Sequence, residues 1–386
     1  RLFWRNARSC RAGKILTLTV ILSNNCLAVL IVRPTFVCVP GLFLSSMRVF
    51  HEKRPASPWR TATIKYITTM KKSTTAIVAA MMLLSVTGAN LNAAASNPNP
   101  PSAPAAAAGG DSFTLDGLVY TVVDAANNLV ELSGNDGTHP TSVNVISPIS
   151  YGGTDYTVVS IGAGAFRGSD ILMTFYADDN VKSVGEAAFA GCSSMISVLF
   201  GDVEAIGDSA FYNCGVINEL ELGTSLKSIG EFAFVSLSLA SNAFYIPASV
   251  ESIGKGAFIR YRSEAFIVDE ANKDYCSVDG VLFTKDKAEL VAYPYGKTQI
   301  EYTVPDGVKR IGEYAFSKID NIYKINLPES LESIGGYAFY GIYSIRRIDV
   351  PAGVTVIEPY TFNHCADLET ISLHDGVTTI GRGAFA

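Results

Sequence analysis

Apolar residues in the second half of the chain return at fixed offsets from a recurrent phenylalanine. Six, nine and eleven residues after Phe316 come Ile322, Ile325 and Leu327. After Phe339 and Phe362 the same offsets hold Ile345, Ile348 and Val350, then Leu368, Ile371 and Leu373. The last two of each set alternate with a polar residue, as a strand with one buried face requires. Pro328, Pro351 and His374 follow, where they end a strand without breaking a central ladder. A second short run leads into Ile334, Ile357 and Ile380. The Gly that comes next, or Glu358 in one copy, is expected to allow a tight corner before the following Phe.

The corner phrase I-G-x-x-A-F, with close variants, occurs nine times, closing on Phe166, Phe189, Phe211, Phe234, Phe258, Phe316, Phe339, Phe362 and Phe385. Successive gaps are 23, 22, 23, 24, 58, 23, 23 and 23 residues. A unit this short cannot bury its apolar side alone, so the pattern predicts a mostly β solenoid of about nine repeats with parallel pairing between rungs. The gap of 58 reads as an elaboration at about 262–304, with a hairpin from Ser277–Phe283 and Ala288–Tyr293 projecting from the stack. Residues 113–160 carry short β-type runs around Asp116-Gly117 and Gly134–Gly137, and are expected to cap the first rung. The repeats of 161–386 stop straight after Phe385 with no polar closing rung, which predicts further sequence beyond Ala386.

Composition changes the picture at the other end. Residues 1–69 hold eleven Lys+Arg, both tryptophans and one acidic residue, Glu52. Met70-Lys71-Lys72, the apolar run Ala76–Val86 and Ala93-Ala94-Ala95 have the layout of a secretory signal peptide over 70–95. Residues 1–69 therefore read as an upstream extension of the reading frame. The competing reading is a membrane anchor at Ile15–Val32, interrupted by Asn24-Asn25. Residues 96–112, rich in Pro, Ala and Gly, form a linker. Without residues 1–95 the chain keeps 17 basic and 35 acidic residues, a body that repels nucleic acid and anionic membrane surfaces. No membrane span is expected in the mature protein.

Chemistry is sparse. Cys192, Cys214 and Cys365 each stand three residues after a motif Phe and read as buried thiols, although neighbouring rungs would also permit a Cys192–Cys214 disulfide. His364, Cys365 and His374 lack a fourth metal ligand, and Asp269–Asp274 lacks the alternation and Gly of a calcium loop. No phosphate loop, dinucleotide fingerprint or nucleophile motif occurs, so neither enzyme activity nor a cofactor is expected. What remains is surface pattern. Tyr314, Tyr337 and Tyr360, each two residues before a motif Phe, should stack as an aromatic ladder. That ladder either stabilises the rungs or offers a flat platform to a partner. Tyr323, Lys324, Arg346 and Arg347, seven and eight residues after Phe, form a basic-aromatic patch of the residue types favoured at interfaces. A solvated charged face is its plainer reading.

The copies of L-x-x-I-x-L-P…V-x-x-I-G-x-x-A-F-x-x-C, clearest from Leu368 to Phe385, resemble the BspA-type leucine-rich repeat, and the resemblance covers about 113–386. It implies a leucine-rich repeat solenoid on an exported protein of a host-associated bacterium, with family members credited with binding host extracellular proteins and no shared catalytic residues. The expectation is a secreted or cell-surface binder of a protein or glycan, possible partners including extracellular-matrix proteins. The alternatives are a structural stalk or spacer, or a targeting module for a domain beyond Ala386.

Overall fold

The computed structural model describes residues 109–138, 140–239 and 242–386. The expected upstream extension and signal peptide, most of the expected linker, and His139 lie outside them. Among the described residues every regular element is a strand.

Ser112–Leu115, Leu118–Asp124 and Leu129–Asn135 form an antiparallel meander, and its third strand pairs in parallel with Thr154–Ile161. From there one ladder climbs through the two-residue strands Ser183–Val184, Ala205–Ile206, Ser228–Ile229 and Ser252–Ile253. Its register moves by one repeat per step, so that Val184, Ile206, Ile229 and Ile253 align. A second sheet carries Ser142–Val145, Thr174–Ala177, Ser197–Phe200 and Glu219–Glu221, and Ala243–Ile246 pairs with Ala265–Val268. Past the interruption the same two ladders resume, one through Glu289–Ala292, Arg310–Ile311 and Ser333–Ile334, the other through Glu301–Thr303, Lys324–Asn326, Arg347–Asp349 and Thr370–Ser372. The result is a leucine-rich repeat solenoid of about ten turns.

The motif phenylalanines form the spine of the interior. Phe166, Phe189, Phe211, Phe234 and Phe258 stack with centroids 5.2–5.8 Å apart and rings within 10° of parallel. Phe316, Phe339, Phe362 and Phe385 repeat the arrangement at 5.2–5.6 Å. Away from the interruption each corner is sewn to the next by three backbone bonds, as where Phe232, Phe234 and Ser236 donate N–H to the carbonyls of Lys255, Ala257 and Ile259 at 3.1, 2.8 and 2.9 Å. To point those groups along the stack, the residue two before each Phe takes a left-handed backbone, φ 51° at Ala187, 54° at Ser209 and 57° at Phe232.

The Gly after each Ile has a different reason from the one expected. It does not supply the left-handed turn. A Cβ on Gly185, Gly207, Gly230 or Gly254 would lie 2.4–2.7 Å from backbone atoms of the preceding rung. Those glycines let consecutive rungs touch backbone to backbone. Glu358 shows that one copy makes room for a side chain.

The interruption also differs from the expected projecting hairpin. Tyr275–Val278, Val281–Thr284 and Glu289–Ala292 form an antiparallel meander built into the stack. Val281, Leu282 and Phe283 are all fully buried. Leu282 packs into the core of the first half, whereas Val281 and Phe283 pack into that of the second. This strand is an internal wall, which explains three consecutive apolar residues where an exposed hairpin would alternate.

The gap of 58 also contains a rung that the motif search does not find. Leu290 aligns with Ile311, and Tyr293 stacks on Phe316 at 5.2 Å while donating its N–H to Ala315 at 2.8 Å. Tyr293 therefore takes the phenylalanine position. Its rung is cut short, with Val291 and Ala292 where the next has Gly312, Glu313, Tyr314 and Ala315.

Candidate ligand-binding face

The three tyrosines of the ladder inherit their place from the corner geometry, with φ 61° at Tyr314, 57° at Tyr337 and 59° at Tyr360. A left-handed backbone at each throws the side chain out of the corner, onto the ring of the neighbouring rung. Tyr314 and Tyr337 stack at 4.8 Å and 12°, Tyr337 and Tyr360 at 4.8 Å and 18°. Phe232 extends the row, meeting Tyr314 edge-on at 5.3 Å and 80°. Glycines make room for the outer rings: a Cβ on Gly256, between Phe232 and Tyr314, would sit 2.7 Å from Phe232, and one on Gly383, past Tyr360, 2.7 Å from Tyr360. The ring faces cover one another, and the half-buried rings offer edges to solvent.

Beside the ladder lies a group that column-by-column reading of the sequence misses. Tyr340 meets Tyr337 edge-on at 5.7 Å and His364 at 5.4 Å. The Lys318 ammonium lies 4.5 Å from the Tyr340 ring centre and 5.2 Å from that of Tyr343, with its Nζ 3.3 Å from the Tyr343 hydroxyl. A Cβ on Gly341 would come within 2.7 Å of that Nζ, so the lysine lies against the adjacent rung over a glycine. Lys318, Gly341 and His364 share the second left-handed corner position, at φ 63°, 66° and 59°. The shared position was legible in the sequence. The meeting of different columns across adjacent rungs was not.

On the sheet face, Lys324 and Arg347 are register neighbours. Lys324 Nζ is 2.8 Å from Glu301, and Arg347 grips Asp349 through Nη2 at 2.9 Å and Nε at 3.1 Å. Arg347 and a hydrogen bond from Ser372 hold the Asp349 carboxyl below its ordinary value. Arg346 has no carboxylate partner among the described residues. It stands in one exposed column with Tyr323, which is 50 % exposed, and Ile300, because the N–H of Tyr323 donates to Ile300 and that of Arg346 to Tyr323. Among the described residues no hydrogen bond, ion pair or ring contact joins this column to the tyrosine ladder. The two groups occupy separate parts of the same rungs.

The remaining candidates are engaged locally. Cys192, Cys214 and Cys365 are free, and each donates its S–H to the carbonyl of the motif Phe one rung back, Phe166, Phe189 and Phe339, at 3.1, 3.0 and 3.1 Å. Burial pushes the Cys192 thiol up to about 12 and that of Cys365 up to about 11. His374 bonds the Val354 carbonyl at 3.0 Å and accepts from Gly376 at 3.0 Å. In the segment that superficially resembles a calcium loop, buried Asn272 donates to Pro247 and Val250 and accepts from Asp274 and Tyr275, serving as a structural plug. Among the described residues no three His, Cys, Asp or Glu side chains are placed to hold a metal ion, and no helix is long and apolar enough to cross a membrane.

The sequence family described as BspA type Leucine rich repeat region (6 copies) matches residues 154–273 and 292–386. Among solved structures, a leucine-rich repeat protein from Eubacterium ventriosum is 24% identical with a TM-score of 0.56, over 68% of this chain and 72% of that one. The pneumococcal vaccine antigen PcpA is also 24% identical with a TM-score of 0.56, over 70% of this chain and 78% of its own. These likenesses carry the fold. No curated protein sequence is significantly similar.

Proposed function

Because the chain belongs to the BspA-type leucine-rich repeat family, we propose that it is an exported, non-enzymatic binding protein engaging a protein or glycan through its last rungs. The observation that carries this reading is the clustering there of exposed and half-buried aromatic and basic side chains. Tyr340, Tyr343 and Lys318 lie on one side, and Ile300, Tyr323 and Arg346 on the other, on a rigid frame. Tyrosine and arginine bring large contact area at low entropic cost and recur at binding hot spots. Lys324 and Arg347 spend their charge on Glu301 and Asp349, so they set register and solubility more than affinity. Export rests on the signal-peptide layout of residues 70–95, and secretion or surface display follows from it.

A second reading, a stalk or spacer, is favoured by the tyrosine ladder, whose self-stacked rings stiffen the rungs without needing a ligand. The test is saturable binding of the purified protein to arrays of extracellular-matrix proteins and glycans. A hit that weakens about tenfold or more in Tyr343→Ala or Arg346→Ala, with unchanged thermal stability, supports the binder. No hit on any surface supports the stalk.

A further inference from the structure

The shortened rung leaves a slot. Between Leu290 and Tyr293 the chain lacks the two residues that form the corner of every intact rung, and a cavity of about 80 Å³ occupies their place. Gly254–Ile259 line one wall, Gly312–Ala315 and Ser317 the other, and Val291 and Ala292 the floor. Residues on either side reach over the missing corner: Lys255 Nζ meets Glu313 at 2.9 Å, and Phe232 meets Tyr314 at 5.3 Å.

The walls hold backbone groups that intact rungs satisfy. Phe232 and Phe234 donate to Lys255 and Ala257, but among the described residues the equivalent N–H groups of Gly256 and Phe258 meet no carbonyl. On the facing wall, Gly336 and Tyr340 accept from Tyr314 and Lys318, whereas the equivalent carbonyls of Glu313 and Ser317 receive no donor. Even the broken strand end is patched by a side chain: the Ile253 N–H donates to the Tyr275 hydroxyl at 2.9 Å. One wall thus offers donors and the other acceptors. A secondary amide, with its carbonyl and N–H on opposite edges, is the small group that complements both. The charges at the mouth cancel, since Lys255 pairs with Glu313 and Arg310 with Glu289 at 3.4 Å, so the slot selects a neutral group. Its volume holds a few waters' worth of ligand. That suits a pendant acetamido group, with its methyl on Val291 and Ala292, better than a peptide threading through.

We propose that this slot binds the acetamido group of an N-acetylated amino sugar. The site goes beyond the outer-face reading, since it uses the corner missing at the end of the Glu289–Ala292 strand and names a ligand chemistry. Displacing slot water is favourable only if the ligand reproduces its hydrogen bonds, so a sugar without the amide should bind about tenfold more weakly or less.

Lys255-Gly256 is the sole Lys-Gly pair in the sequence, so the full chain labelled with ¹³C-carbonyl lysine and ¹⁵N-glycine gives one diagnostic NMR signal, from the Gly256 N–H. Titration with methyl N-acetylglucosaminide is expected to move it saturably, and methyl glucoside to leave it in place. No movement with either, or equal movement with both, overturns the proposal and leaves the slot to water. Stronger movement with N-acetylglycine methylamide assigns the slot to peptide and overturns the sugar. A variant with Gly-Glu inserted between Val291 and Ala292 rebuilds the corner and should abolish the response; a surviving response overturns the location. Tyr343→Ala should leave the Gly256 signal responsive, so failure of the outer-face reading and failure of the slot are read separately.

Discussion

Gly207 and Ser209 stand two residues apart in one corner and should respond in opposite directions to exchanging glycine for a side chain. A Cβ on Gly207 would lie 2.7 Å from the Gly185 carbonyl carbon, 2.8 Å from the Glu186 nitrogen and 2.9 Å from the Val184 oxygen. All three are backbone atoms held by the ladder, so no rotamer change relieves the clash. Gly207→Ala must separate two rungs, an overpacking cost of about 1–3 kcal/mol, with the upper end expected because the obstacle is rigid. Ser209 has φ 54°, a left-handed conformation that costs an L-residue about 1–2 kcal/mol. Ser209→Gly removes that strain and loses about 0.4–1 kcal/mol through the freer unfolded chain. The net is a change near zero or a gain of about 1 kcal/mol. At about 2–4 °C per kcal/mol for domains of this scale, calorimetry should show Gly207→Ala melting roughly 2–12 °C lower. Ser209→Gly should melt at the same temperature or slightly higher. A silent Gly207→Ala would mean the rungs are not in backbone contact there, and equal losses in both variants would refute the assigned left-handed corner.

Other outcomes follow from the same frame. Phe339→Ala removes a fully buried ring stacked on Phe316 and Phe362 and should cost about 3–5 kcal/mol by denaturant unfolding; a loss below 1 would contradict its place in the spine. Cys192 and Cys214 should resist iodoacetamide in the native protein at pH 8 and react fully in guanidinium, because burial raises both thiols; native alkylation read by mass spectrometry would contradict that burial. Asp202, Glu204, Glu301 and Asp349 have folded values lowered, chiefly by hydrogen bonds from Ser225, Lys227, Lys324 and Arg347 respectively. Their contribution is therefore present above the ordinary carboxylate value of about 4 and lost as pH falls through the folded values. The melting temperature should decline below about pH 4, and Asp202→Asn should flatten that limb. An acid limb identical in Asp202→Asn would remove Asp202 from the set.

The fold was legible because its rule is periodic. One phenylalanine per 22–24 residues, with apolar positions at fixed offsets, leaves few arrangements other than stacked parallel rungs. Two things escaped that rule, each for a physical reason. The Tyr293 rung was invisible because tyrosine replaces phenylalanine and two corner residues are absent, so neither identity nor spacing matches the motif. The Val281–Thr284 wall looked like an exposed hairpin because the Asp279-Gly280 turn is a strong local signal, whereas burial on both faces depends on two cores that only the assembled stack creates. The tyrosine ladder could be read at its correct spacing. Its ring orientation could not, because that follows from the left-handed corners and from the room left at Gly256 and Gly383.

The same contrast explains why the candidate sites gather in the second half. In the regular first half, each corner satisfies the next, and the left-handed corner positions Ala187, Ser209, Asn213 and Ser236 carry small side chains, the large Phe232 and Arg260 coming only next to the interruption. A rung that drops two residues breaks the chain of satisfied backbone groups and leaves facing donors and acceptors without partners. Beyond it the left-handed positions carry Tyr314, Lys318, Tyr337, Tyr360 and His364, large side chains that a turn built from glycine would not present. Placing them there costs backbone strain that glycine would avoid, and ring stacking offsets part of that cost along Tyr314, Tyr337 and Tyr360. Tyr343 and Arg346 take no part in that stacking and stay exposed, so a solenoid needing only stiffness has no use for them. If substitution of both leaves stability unchanged while abolishing capture of a partner, their exposure is functional; if neither property changes, the second half is a stiffened spacer.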